Sequence, residues 1–568
     1  MISRYLAVTV ATALSISISA AENQPRLILQ ITIDQLRGDL LFRSRDSFGQ
    51  GGFRYLIDSG IVYHDAHHSH ANNETIVGHT TLATGATPAI HGMIGNNWID
   101  KRTGEVVYNI EDPDYDLLTS GAGVDKSTEI DPTQKAARSD GRSPRNILTS
   151  TFSDELATKT NGEARIFGVS VKDRAAVSMA GHAGKAFWFS KATAGFVTSS
   201  YYYDRYPAWV EKWNARNLPS KYDEQFWKLL NPLDTYLFKD SDDRPWETDV
   251  AGFGRTFPHP YGASSSKYYS TLLTLSPPGD EIVLDFAKAL IDAEELGQDS
   301  TTDYLAISFS STDYVGHVFG PSSLEAEDNL LRLDRTLADL FAKIEETVGL
   351  KNTLIVLSAD HGGPNAPGYS KTHGVPAGYI STDDWDLSET INRLKKQYNI
   401  EQNLVQQYLH PYFYLSSAVN ALPDADKDDI QRQIANEIEQ FPNVAYAIPS
   451  IALANNSISP NNIVLAVRNN YNENRSGDIY IVFEPNWFIN DFDGLIVAST
   501  HGSPWQYDTF VPIIFAGGNL RSQNVYRKVN TTDIARTLSA IVGAKPPSGS
   551  SGNVLLEVVD SGNLEDLP

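Results

Sequence analysis

Five short apolar runs constrain the fold of this chain more than any other feature. Residues 26–33 stop at Asp34, and 164–171 stop at Lys172. Residues 304–309 run towards Asp313, 353–357 end just short of Asp360, and 510–515 end at Ala516-Gly517-Gly518. Runs this short and this apolar suit strands buried on both faces in a parallel sheet. Between them lie stretches with apolar positions at helical spacing, notably residues 322–348. Strands alternating with helices predict a three-layer α/β/α core with a mostly parallel sheet. Such sheets gather ligands at the carboxyl ends of their strands, which is where the polar residues after these runs stand.

Two long stretches, about 176–300 and about 364–498, break the alternation and read as insertions around one catalytic domain spanning 22–568. The first is aromatic-rich, with Tyr201-Tyr202-Tyr203, Trp209, Trp213, Phe226, Trp227 and Trp246; packing within the insertion accounts for such a composition. Residues 1–21 have the pattern of a signal peptide: Arg4, an apolar segment, then Ser19-Ala20-Ala21 before the cleavage point. The expectation is an exported protein, periplasmic or secreted. No other run approaches the roughly 18 apolar residues of a membrane span.

The net charge of −24 argues against a general nucleic-acid or anionic-membrane binder, since either needs an extended basic face. An anionic substrate would have to be captured at a local positive site, such as a metal. With no cysteine in the chain, disulfides, thiolate-held zinc, iron–sulfur clusters and thiol nucleophiles are all ruled out.

The acids and imidazoles near the strand ends form a recognisable set. Asp34 follows the first run. Asp313 and His317 are four apart, so one helical turn would put them on a single face. Asp360-His361 follows the fourth run, and His501 lies in Ser-Thr-His-Gly-Ser-Pro before the fifth. Each fragment alone also fits a solvated turn. Together, three Asp and three His make an oxygen and nitrogen donor set that divalent zinc accepts.

Asn72-Asn73-Glu74-Thr75 precedes an apolar stretch closed by Gly85, which predicts a capped helix of about ten residues. Its N-terminus would offer free N–H groups and a positive dipole end to a phosphate. Thr75 there is either a cap or, beside a metal, a nucleophile.

These motifs, in this order, resemble the alkaline phosphatase superfamily, and within it the monomeric phosphate-irrepressible alkaline phosphatases related to nucleotide pyrophosphatase/phosphodiesterases. The resemblance runs over roughly 30–517. It implies two Zn2+ per chain, one held by Asp313, His317 and His501. The other is held by Asp34, Asp360 and His361 and contacts Thr75, the nucleophile of a covalent phosphothreonine mechanism. His373, in Lys-Thr-His-Gly, competes with His501, which the resemblance favours because the fifth run follows it at the family's spacing.

The resemblance also implies that Asn96, with Asn97 as its neighbour, donates to a phosphoryl oxygen, and that Lys172 and Arg174 match the Lys-x-Arg pair of the monoesterases. A phosphate monoester brings two charges and three non-bridging oxygens, which a point charge and a planar donor fork would bind. The implied partners are small-molecule phosphate monoesters, with no nucleic acid and no membrane, and the resemblance favours a monomer. The alternatives are a phosphodiesterase on the same scaffold, or a non-catalytic zinc- or phosphate-binding periplasmic protein. The cluster His64, His67, His68 and His70 fits no ligand template and is expected to be a loop.

Overall fold

The fold is given by a computed structural model that describes residues 24–561. The expected signal peptide lies outside the described residues. Four of the five apolar runs form strands at the centre of one sheet: β1 (Leu27–Ile33), β3 (Ile166–Ser170), β6 (Asp303–Phe309) and β7 (Thr353–Ser358). The sheet is completed by β2 (Ile61–Tyr63), β4 (Lys185–Ser190), β5 (Gly195–Val197), β8 (Ile513–Gly517) and β9 (Gln523–Val525). Strand order is β9-β2-β8-β7-β1-β6-β3-β4-β5.

The sheet is mostly parallel. β1 pairs parallel with both β6 and β7, and β6 with β3. β8 runs antiparallel to β7 and β2, and β5 antiparallel to β4. Every residue of β1 is buried. Leu27, Leu29, Ile31 and Ile33 join one core and Ile28 the opposite one, the period-two alternation of a strand between two layers. Helices α4 (Pro278–Ala293), α5 (Ser311–Phe319) and α6 (Leu324–Thr347) cover the first face. Helices α2 (Phe152–Lys159) and α7 (Asp533–Val542) cover the second. The expected three-layer α/β/α core is therefore present.

Register decides where the site forms. Thr32 is paired with Ser308 of β6 and Ser358 of β7, so the three central strands end side by side. Asp34, the start of α5, and Asp360 follow within a few residues. The fifth run begins its strand later than expected, at Ile513. Phe510 lies outside the strand, and its ring packs against Gly38, where a β-carbon would overlap it.

The first long stretch does not leave the core at 176. Helix α3 (Asp173–Ala180) continues past that point, and β4 and β5 extend the central sheet. The segment beyond them is fastened to α6, whose Asp328 accepts hydrogen bonds from Trp227 Nε1, Leu230 N and the Tyr236 hydroxyl. Glu327 accepts from the Leu237 and Phe238 amides. The second stretch builds its own four-stranded sheet from Val405–Leu409, Tyr412–Leu415, Val444–Pro449 and Ile479–Phe483. No helix among the described residues is long and apolar enough to cross a membrane.

Candidate active site

Helix α1 (Thr75–Thr84) is ten residues long, as its spacing predicts, and closes on Gly85 in the left-handed region, φ 62°. Its N-cap is Glu74 and makes no side-chain capping bond, so Thr75 is the first helical residue and not the cap. Every residue of the helix is buried. Gly78 lies against the Asp360 backbone so closely that a β-carbon would overlap the carbonyl. Glycine at this position lets the helix approach the end of β7.

Two groups of metal-capable side chains flank the helix start. Asp313, His317 and His501 bring one ligand atom each within 4.8 Å of one another, and so do Asp34, Asp360 and His361. Asp313 and His317 share one face of α5, with His317 Nε2 at 3.2 Å from Asp313 Oδ1 and His501 Nε2 at 3.4 Å from the same oxygen. His361 Nε2 stands 3.5 Å from Asp34 Oδ1 and 3.4 Å from Asp360 Oδ2.

All three imidazoles are oriented alike. His317 Nδ1 is 2.8 Å from the Ser499 carbonyl, His361 Nδ1 is 2.9 Å from that of Gly362, and His501 Nδ1 is 2.7 Å from that of Asn73. A carbonyl only accepts, so each Nδ1 carries a proton and each Nε2 is turned towards the carboxylates. Burial holds His361 well below the usual imidazole range and also lowers His501, keeping both rings neutral, as metal ligation requires. Asp34 Oδ1 and His361 Nε2 are buried without a hydrogen-bond partner. Burial and the charge of Asp360 push the Asp34 carboxyl well up, against the pull of Lys172. Orphaned oxygen and nitrogen donors under carboxylate crowding fit a bound divalent cation.

Thr75 Oγ sits among cations. Arg174 Nη2 donates to it at 3.1 Å, and Lys172 Nζ lies 3.5 Å away. Lys172 is the N-cap of α3 and Arg174 lies in its first turn, so one strand end delivers both. Lys172 Nζ also bridges Asp34 Oδ2 at 2.7 Å and Asp313 Oδ2 at 2.5 Å. The sequence expectation has it facing only a phosphoryl group; the buried carboxylates of Asp34 and Asp313 hold it as well. Asn96 Oδ1 accepts from the Ile76 amide at 3.2 Å, which leaves its Nδ2 as the free donor. Its neighbour Asn97 turns instead to the Thr133 carbonyl.

His373 stays exposed at the end of a short helix, bonded to Tyr369 and Thr372, and joins neither group. His68 and His70 are more ordered than a loop reading implies. His68 Nε2 is 3.1 Å from the Ala359 carbonyl, and His70 Nε2 is 3.2 Å from His68 Nδ1.

Three supporting residues escaped the sequence. Asp131 Oδ2 binds Arg174 Nη1 at 2.7 Å. Burial raises the Asp131 carboxyl, but Arg174 and Thr133 more than offset it and hold it ionised. Gln35 links the two groups, donating from Nε2 to Asp313 at 2.8 Å and from its amide to Asp360 at 3.1 Å, with a left-handed φ of 65°. His79 Nδ1 lies 3.1 Å from Asp360 Oδ2, and its Nε2 is 2.9 Å from Ser308 Oγ. Only the Asp131-Pro132 helix-start signature had a local signal.

The family described as type I phosphodiesterase/nucleotide pyrophosphatase matches residues 28–504. The chain is 34% identical to alkaline phosphatase PafA of Elizabethkingia meningoseptica over 94% of this chain and 95% of that protein. It is 35% identical to alkaline phosphatase PhoV of Synechococcus elongatus over 94% of this chain and 93% of that one. The crystal structure of wild-type PafA superposes with a TM-score of 0.83 at 32% identity, covering 94% of this chain and 99% of the other.

Proposed function

The chain belongs to the type I phosphodiesterase/nucleotide pyrophosphatase family, within the alkaline phosphatase superfamily, and we propose that it is an alkaline phosphatase cleaving phosphate monoesters with Thr75 as nucleophile. The observation that carries this reading is the pairing of Arg174 and Lys172 on one hydroxyl, at 3.1 and 3.5 Å, at the start of a buried helix. Two fixed cations suit the dianionic phosphoryl group of a monoester; a diester carries one charge fewer and an extra organic group.

Asp34, Asp360 and His361, with Thr75, would hold one zinc ion, and Asp313, His317 and His501 the other. When bound, the two cations supply Lewis acidity towards the attacking and departing oxygens. Thr75 Oγ bonds to phosphorus as the bond from phosphorus to the alcohol oxygen breaks, and the hydroxyl proton ends on the departing alcohol, leaving a phosphothreonine. Water then attacks the same phosphorus, releasing inorganic phosphate and restoring the hydroxyl. Arg174, Lys172, the Asn96 amide and the N-terminal N–H groups of α1 hold the equatorial oxygens as charge redistributes. Asp131 fixes the Arg174 fork in place.

The export reading and the monomeric state remain part of this proposal. So does the organisation as one catalytic domain elaborated by insertions.

The test is kcat/KM for matched aryl phosphate mono- and diesters on zinc-loaded and chelator-stripped protein at alkaline pH. A large monoester preference that disappears with the metal is expected. A diester preference would overturn the assignment of Lys172 and Arg174, and no turnover with metal bound would favour a binding protein.

A further inference from the structure

A cavity of about 430 Å3 opens onto one half of the site only. Asp313, His317, His501, Asn96 and Arg174 border it; Thr75, Lys172, Asp34, Asp360 and His361 do not. In an in-line displacement the nucleophile and the leaving oxygen stand on opposite sides of phosphorus. With Thr75 as nucleophile, the cavity lies where the departing alcohol must be.

Most of its wall area is apolar, much of it aromatic, with polar residues at intervals. The second insertion contributes Phe488, Ile489 and Phe492, while the core contributes Ile130, Tyr314 and Val318. Phe492 meets the His317 ring edge-on, with centroids 5.0 Å apart. It is carried there by a two-residue hairpin in which Asp491 pairs with Ile496 and Phe492 with Leu495. Asp493 and Gly494 make the turn, both at positive φ, and Lys135 holds Asp493 at 3.2 Å.

Charge narrows the occupant further. Glu74, Asp131 and Asp491 border the cavity, and Arg174, already paired with Asp131, is the one Lys or Arg among the residues that do. A second phosphate or a carboxylate on the leaving group would find acids there and no free cation.

On the reading of the site as a phosphatase, we propose that this cavity is a leaving-group subsite selecting monoesters of uncharged, ring-bearing apolar alcohols over polyanionic ones. The test compares phenyl phosphate, 2-naphthyl phosphate and 4-carboxyphenyl phosphate on zinc-loaded wild type, Phe492→Ala and Phe492→Leu. The second ring adds apolar area to bury, so 2-naphthyl phosphate is expected to exceed phenyl phosphate roughly tenfold in kcat/KM, mainly through KM. The carboxylated ester, although its leaving group is intrinsically better, is expected to fall below phenyl phosphate. Phe492→Ala brings the naphthyl-to-phenyl ratio close to one, and Phe492→Leu restores much of it.

A wild-type naphthyl-to-phenyl ratio within about twofold of one, or a ratio indifferent to Phe492→Ala, overturns the subsite while phenyl phosphate is still cleaved. A carboxylated ester cleaved faster than phenyl phosphate overturns the charge selection. If wild type releases no phosphate from phenyl phosphate, the phosphatase reading fails and the subsite with it.

Discussion

Asp131 and Arg174 are joined by a 2.7 Å ion pair that holds the guanidinium against Thr75 Oγ. Neither residue could be placed relative to the other from sequence, since 43 positions separate them. The pair makes Asp131 a positioning residue. Asp131→Ala is expected to lower kcat/KM for an aryl monoester roughly 10- to 100-fold, in the range seen when outer supports of a site are removed. The loss on a matched diester is expected to be smaller. Equal losses on both substrates would contradict the positioning role, and Tm checks that the variant is folded.

Thr75→Ala removes the proposed nucleophile while leaving the N-cap and C-cap of its helix in place. The expected result is a loss of turnover of roughly 10³-fold or more with little change in Tm. Acid-quenched wild type incubated with substrate is expected to carry phosphate on Thr75. Near-wild-type activity in Thr75→Ala would remove the nucleophile assignment.

Gly78→Ala adds one methyl group to a buried helix, yet it is expected to damage the protein. The β-carbon would overlap the Asp360 carbonyl, so either α1 or the segment after β7 must move. A destabilisation of roughly 1–3 kcal/mol is expected, with lower zinc affinity because Asp360 shifts. Denaturant unfolding and metal content by mass spectrometry check both.

Zinc-loaded protein is expected to carry two equivalents per chain, and His501→Ala one. Chelation is expected to lower Tm, since a cation bound only by the folded state stabilises it. Retention of two equivalents by His501→Ala would restore His373 as a candidate ligand.

Away from the site, Glu247 sits buried near Glu325. Burial first, and then the Glu325 charge, pushes its carboxyl up to about 9. An acid with a raised folded-state pKa keeps its proton in the native state after the unfolded chain has lost it. Stability from this group is therefore present at low pH and falls as pH rises from the unfolded value of about 4.3 towards 9, by at most about 1.4 kcal/mol per pH unit. Unfolding free energies at pH 6 and pH 9 are expected to differ less in Glu247→Gln than in wild type.

The central strands were legible because β1, β3, β6 and β7 are buried on both faces and read as unbroken apolar runs. Strand direction was not, since an apolar run reads the same either way; β8 turned out antiparallel. Nor did the sequence mark β4 and β5 as core, because Lys185–Ser190 mixes polar ends with aromatics that resemble the insertion beside it. Candidate ligand pairs close in sequence, Asp313–His317 and Asp360-His361, stood out through local geometry. Gln35 and His79 act through contacts with residues far along the chain, and no local pattern encodes such a contact.

The grip of α6 on residues 227–238 limits how this scaffold can be shortened. Glu327 and Asp328 are buried and take most of their donors from that segment. Trimming the loop would strip Glu327 of the Leu237 and Phe238 amides and leave Asp328 with Arg332 alone, at a cost in stability. A minimal version of the fold is therefore reached only by rewriting the start of α6 together with the excision. The segment is an integral part of the architecture and not an interchangeable module.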